Sequence, residues 1–290
     1  MALDSAGVSD ISMEEILFRD VQDYLIQEAV IIGTITDLTP RVQKGMKSVK
    51  VPRFSGLTVS DVKQDGSEAT AAGMAADQDT LVLNQFREVP EYIYEAADME
   101  SAVDLKREFL DAAPRILAND FEEQIYAELK QASASTPDHI IQLDEAFNAV
   151  ANTAPSLDNI QTASLLLNKQ NVPKSDRYLL VSNEIKVHLL SKSEIQDASK
   201  AGSNSALING EFARLFGFVM IESNVVPAAE CVAYHRSACG FASQQEISFI
   251  EESQPSKGRE FMAVRSKYGT KVMDAGKRCV LMNSTGAQLN

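Results

Sequence analysis

The stretch Lys63–Asp79, KQDGSEATAAGMAADQD, decides how this chain is read. It holds no aromatic and no β-branched aliphatic residue, and its apolar content is five alanines and Met74. Such a segment buries too little surface to offset its own ordering entropy. Its flanks differ. Lys47–Val59 is strand-like, with Val49 and Val51 alternating with polar residues before Pro52 interrupts. Thr80–Tyr94 is strand-like too, with Leu81, Val82, Leu83, Phe86 and Val89. Together these pieces predict a long antiparallel hairpin over residues 46–96 with a mobile tip. A two-stranded hairpin is marginal alone, so this one must lie on something. Pro52 and Pro90 suit exposed edges, because proline cannot donate to a central ladder.

Outward from the hairpin the pattern becomes helical. Val103, Leu105, Phe109, Leu110, Ala113, Leu117, Phe121, Ile125 and Leu129 recur mostly at four-residue steps, which predicts a helix over 98–133. Pro114 falls inside it, so either the helix kinks there or a second helix starts with proline in its first turn. A helix of ~30 residues spans ~45 Å and suggests a scaffold along an elongated molecule. Upstream, Ser12 and Glu15 form a capping box for a helix over 13–30, which ends before Gly33. From about residue 153 the pattern is mixed α/β. Leu157–Asn168 reads as a helix, Lys174–Asp176 as a turn and Tyr178–Val181 as a short buried strand. Ser182 or Asn183 then caps a helix carrying Ile185, Val187, Leu189 and Leu190. Asn209–Gly210 turns into a short helix that stops at Gly217, and Phe218–Ile221, Val232–Tyr234 and Ile247–Ile250 read as strands. Closing strands are predicted near Phe261–Tyr268, Lys271–Met273 and Cys279–Met282.

The 290 residues carry 27 Lys+Arg against 41 Asp+Glu, a net charge of −14. Bulk binding to nucleic acid requires basic surface, so that class is disfavoured. Residues 254–290 hold seven basic and two acidic residues, an unevenness that either attracts copies of the chain or simply marks a basic strand pair in solvent. No apolar run approaches the ~18 residues of a membrane helix. The acidic N-terminal residues Asp4, Asp10, Glu14 and Glu15 do not resemble a secretory signal. Three cysteines (Cys231, Cys239, Cys279) read as small core residues in a reducing compartment. His139, His188 and His235 lie far apart and read as surface or capping residues. GxSxG, GxxxxGK[ST], GxGxxG and HExxH are all absent. Asp61–Gly66 begins like a calcium loop but has Lys63 and Ala72 where ligands belong. Asp77–Gln78–Asp79 reads as solvated acids at a loop tip. No catalytic residue, cofactor site or metal site is assigned, which moves weight towards a structural or binding role.

The order of parts, and five local stretches within it, resemble the major capsid proteins of tailed bacteriophages, with their Hong Kong 97-like α+β fold. Lys50–Phe54 with Asn84–Pro90 looks like the two strands of that family's extended loop, and Val103–Leu129 like its spine helix. Asn171–Ser182, NVPKSDRYLLVS, resembles a stretch of the axial domain, as does Asn209–Phe218, NGEFARLFGF. Val264–Val272, VRSKYGTKV, resembles the closing strands of the peripheral domain. The match spans roughly residues 45–285. It implies an N-terminal arm (1–45), an extended β-hairpin loop (46–96), a spine helix with peripheral domain (97–152), an axial domain (153–253) and return strands (254–290).

The resemblance implies a subunit that self-assembles, as hexamers and pentamers, into an icosahedral head shell around a double-stranded DNA genome. It implies a virion location after assembly in the host cytoplasm, with no cofactor and no membrane. Portal and scaffolding or decoration proteins are the implied partners, and DNA is enclosed without sequence-specific binding. The extended loop would lie across a neighbouring subunit, and Arg53, Phe54, Lys63, Met74, Asp77, Asp79, Phe86 and Arg87 are the expected contact residues. Some members cross-link a loop lysine to a neighbour's asparagine; Lys63 is the lysine near this tip, and no partner is assigned. Two other readings stay open: an encapsulin-like nanocompartment shell, and a cytosolic α/β enzyme with its site in 153–250.

Overall fold

The computed structural model describes residues 29–55, 75–96, 105–135, 139–147, 152–192 and 214–284. The helix expected over 13–30 lies outside these residues except for Ala29 and Val30, which are not helical. The hairpin tip up to Met74 and the Asn209 turn also lie outside them.

A long helix, α1 (Leu105–Ser135), is the axis of the molecule and runs through Pro114 as one element. Ala113, Leu117, Phe121, Ile125, Tyr126 and Leu129 face inward. Their three- and four-residue spacing places them on one stripe. Two sheets share this stripe. The first has four strands in the order β1 (Thr36–Asp37), β11 (Cys239–Gln254), β12 (Arg259–Val272) and β4 (Gln85–Tyr94). The second has five, in the order β5 (Ile140–Gln142), β13 (Cys279–Asn283), β10 (Glu230–His235), β8 (Arg177–Val181) and β9 (Val219–Glu222).

Alternation along the five-stranded sheet makes three layers. Leu180, Val232, Tyr234, Cys279 and Leu281 face α1. Leu179, Val181, Cys231, Ala233, Val280 and Met282 face two short helices on the other side, α2 (Leu157–Lys169) and α3 (Asn183–Leu190). Ser156 caps α2 by accepting from the Asn159 N–H at 3.2 Å, and Ser182 caps α3 by accepting from the Ile185 N–H at 3.3 Å. Asn171, at φ 56°, ends the α2 turn in the left-handed conformation. The buried Arg177 then donates to the carbonyls of Val172 and Pro173 and to Asn168 Oδ1, tying the end of α2 to the start of β8.

Several sequence expectations are corrected. Thr80–Tyr94 is two strands: β3 (Ala75–Val82) pairs antiparallel with β2 (Ser48–Ser55), and β4 pairs with β12. The break at Leu83–Asn84 lets Val89 reach the main core while Leu81 packs elsewhere. The last strand, predicted as a peripheral return strand, joins the five-stranded sheet instead. All five of its residues are buried, which only a central strand covered on both faces permits. The two closing strands predicted over Phe261–Met273 are one, β12, and the boundary drawn at residue 253 falls at the tip of the β11–β12 hairpin. Described residues 214–217 form a tight turn bridged by Leu215 and Phe218, not a helix. The histidines are buried rather than exposed. His139 Nδ1 lies 2.9 Å from the Cys279 carbonyl, and His188 Nε2 lies 2.9 Å from Glu145; only His235 caps, accepting from the Ser237 N–H.

Candidate functional site

The four-stranded sheet has one face on α1 and one face away from it. Val264 and Tyr268 of β12 mark the α1 face, with the Tyr268 ring 4.4 Å from that of Phe121. Their odd-numbered neighbours therefore lie on the outer face. The hairpin is seated there. Gly269 and Gly240 form its seat: a Cβ at Gly269 would lie 2.2 Å from the Val82 carbonyl oxygen, and one at Gly240 would lie 2.5 Å from Met273 Cε. At Gly269 no side chain other than hydrogen lets the β3 backbone approach this closely, whereas at Gly240 the near atom is the flexible end of Met273. Leu81, Val49 and Leu83 pack there with Leu38, Ala242 and Met273 as a small separate core. The hairpin root thus has a home on its own chain.

An ion network fixes the same root. Arg53, on β2, sits opposite Asp77 of β3 and donates to it at 2.5 Å, and it also pairs with Asp274. Asp79 Oδ2 accepts from the Asp274 backbone N–H at 3.0 Å. The hydrogen bond that Arg53 donates to Asp77 holds the guanidinium above its usual pKa and the Asp77 carboxyl below its usual range. The described ribbon ends at the Ser55–Ala75 pair, two residues past Arg53 and Asp77. Among the described residues β2 and β3 pair only with each other, and Phe54, near the end of the described ribbon, is 60% exposed.

Along β4 the outer face carries an aromatic row. Phe86 is 59% exposed, the Tyr92 ring packs 5.2 Å from that of Phe261, and the Arg259 guanidinium lies 3.9 Å above Tyr92. Arg265 donates to Glu88 directly across the strand pair at 2.7 Å. Arg87 points to the other face, 3.4 Å from Asp120 of α1. Part of the basic excess in 254–290 is therefore matched within the chain.

A second anchor holds the backbone at Val30–Ile32 against α1. Glu122 of α1 is wholly buried and accepts from the Ile31 N–H, with further bonds from the backbone of Val30 and Ile32 and from Ser223. Burial raises the Glu122 pKa above the ordinary glutamate value, and these donors only partly offset it. A carboxyl raised in the folded state adds stability below its unfolded value, and loses it as pH rises through the folded value. Relative to Glu122→Gln, the wild type should therefore lose unfolding free energy as pH climbs from about 4 towards neutrality. Urea titrations of both proteins across that range measure it; parallel curves would exclude the effect.

Of the expected contact residues, the structure brings Arg53, Asp77 and Asp79 together at the hairpin root and leaves Phe54 bare above it. Phe86 and Arg87 sit on β4, on opposite faces of the sheet, and Lys63 and Met74 lie outside the described residues. Gly240, Gly269 and Asp274 were not singled out from the sequence. Two glycines inside strand patterns were the available signal for a close backbone approach.

A seated hairpin, a long helix under two sheets and a helix-covered five-stranded sheet together make up the Hong Kong 97-like capsid fold. The chain belongs to the phage capsid protein family, whose model matches residues 36–283. It is a major capsid protein of the phage head shell, a structural role. The fold is shared with a solved structure from Mycobacterium phage Che8, at 22% identity and a TM-score of 0.77, covering 94% of this chain and 97% of that one. A capsid structure of the cyanophage P-SCSP1u matches at 15% identity and a TM-score of 0.77, covering 91% and 90%. The mature capsid of bacteriophage PhiM1 matches at 11% identity and a TM-score of 0.72, covering 93% and 91%. At such identities the likeness speaks for the fold. No protein of curated function matches the sequence.

Proposed function

We propose that this chain self-assembles, as hexamers and pentamers, into the icosahedral head shell of a tailed phage. The shell encloses double-stranded DNA, and assembly takes place in the host cytoplasm. A portal and scaffolding or decoration proteins complete the head. The observation that carries this reading is the ribbon that is locked at its root yet carries a bare Phe54 beyond it. A neighbour's surface supplies what the ribbon lacks, and obligate contacts of that kind bury roughly 2,000 Å² or more. Phe54, Lys63, Met74 and Phe86 are the contact residues that this reading leaves for a neighbour, since Arg53, Asp77 and Asp79 are engaged within the chain and Arg87 lies beside Asp120. The net charge of −14 supports a lumen that repels DNA and leaves it free to exit.

Electron microscopy of the expressed chain tests the proposal, with closed shells as the expected result. Deleting residues 60–72 keeps the Arg53–Asp77 pair and should leave circular dichroism unchanged while abolishing shells. A wild-type chain that stays monomeric at high concentration, or shells of normal yield from the deletion, would contradict it.

A further inference from the structure

The chain passes between the two sheets at two places that lie side by side. β10 leads through Arg236–Ala238 into β11, and β12 leads through Asp274–Gly276 into β13. The crossings are bonded to each other. The Met273 N–H donates to the Ala238 carbonyl at 2.8 Å, and the His235 N–H donates to the Arg278 carbonyl at 3.1 Å. The second crossing is strained: Asp274, Ala275 and Gly276 have φ of 55°, 50° and 80°. Only the glycine adopts that region freely, so something must hold the other two.

The turn has bonds of its own, from the Gly276 N–H to the Met273 carbonyl and from the Lys277 N–H to the Asp274 carbonyl, and the hairpin adds two contacts to Asp274. Arg53 pairs with the Asp274 carboxylate, and Asp79 accepts from the Asp274 N–H. The polar chain then continues inward. Arg278 Nε lies 3.4 Å from Asp274, Arg278 Nη1 donates to Ser237 Oγ at 2.7 Å, and Ser237 Oγ lies 2.8 Å from His235 Nδ1. An unbroken series of contacts thus runs from Asp77 on the hairpin to the first crossing.

We propose that the hairpin root and the paired crossings form one coupled unit, in which Arg53 latches the left-handed turn at Asp274–Gly276. Displacing the hairpin releases that turn and loosens the joint between the two sheets. Conversely, loosening the joint frees the hairpin root, since coupling between two elements is reciprocal. All the residues involved belong to one chain, so the latch operates whether or not shells form.

Hydrogen exchange of the full chain, read by mass spectrometry on particles or on monomer, tests it. Arg53→Ala should speed exchange in Met273–Arg278 by about tenfold, within the range for coupled elements. Leu179–Val181 and Val280–Met282, in the centre of the five-stranded sheet, should keep their wild-type rates. Arg53→Lys should restore part of the protection. Ser237→Ala, a mild change at the opposite end, should speed exchange at the hairpin root, in Ser48–Arg53 and Asp77–Val82. Unchanged exchange at Met273–Arg278 in Arg53→Ala, or a rise shared equally by every peptide, overturns the proposal. So does an unchanged hairpin root in Ser237→Ala.

Discussion

Leu117→Asp is expected to yield no folded subunit. Leu117 is 2% exposed, in the centre of the α1 stripe, and packs in the core that both sheets share. Removing a buried leucine costs about 2–5 kcal/mol, before any charge is added. An ionised carboxylate there adds a desolvation penalty of several kcal/mol, with no designed partner. Together these are comparable to the roughly 5–15 kcal/mol by which folded proteins are stable. The variant should appear only in the insoluble fraction. Leu110→Asp, on the same helix at a residue 42% exposed, should remain soluble and folded. Soluble Leu117→Asp with native circular dichroism would show that the helix does not carry the core.

Gly269→Val should fold and fail to build shells. Valine is a good strand residue, so propensity does not oppose the change. The objection is steric. The new Cβ would lie 2.2 Å from the Val82 carbonyl oxygen and 3.0 Å from its carbon, and backbone cannot rotate aside as a side chain can. The hairpin root must lift from the sheet. That strips the small core of Leu81, Val49 and Leu83 and pulls Arg53 away from Asp274. Overpacking of this kind costs about 1–3 kcal/mol, or a few degrees of melting temperature in a chain this long. Circular dichroism should be near native and micrographs should lack shells. Normal particles from Gly269→Val would mean that the seat does not set the hairpin's direction.

Much of this architecture was legible beforehand. The stripe from Ala113 to Leu129 appeared where the four-residue spacing put it, and the helix ran on through Pro114. Ser182 or Asn183, with the apolar run before it, marks both a strand end and a helix start, and the structure makes Ser182 the cap. The seat was not legible. Its parts come from four separate stretches: Val49, Leu81, Gly240 and Gly269. Alternation identifies a strand's faces but not its neighbour, so the sequence pattern places β4 opposite β2, whereas the structure pairs it with β12. Asp274 gave no signal either, because its partner Arg53 lies 221 residues away.

The amino-acid order by itself determined the local elements: the long amphipathic helix, the capped short helices, the buried strands and an apolar-poor ribbon seeking support. Periodicity, caps and side-chain volume act over a few residues, so they can be read from a string. Only the tertiary structure decided which strands lie together, where the ribbon is seated and which acid answers Arg53. Those outcomes depend on how the chain returns past α1, and a close approach such as Val82 on Gly269 exists only once both sheets are in place.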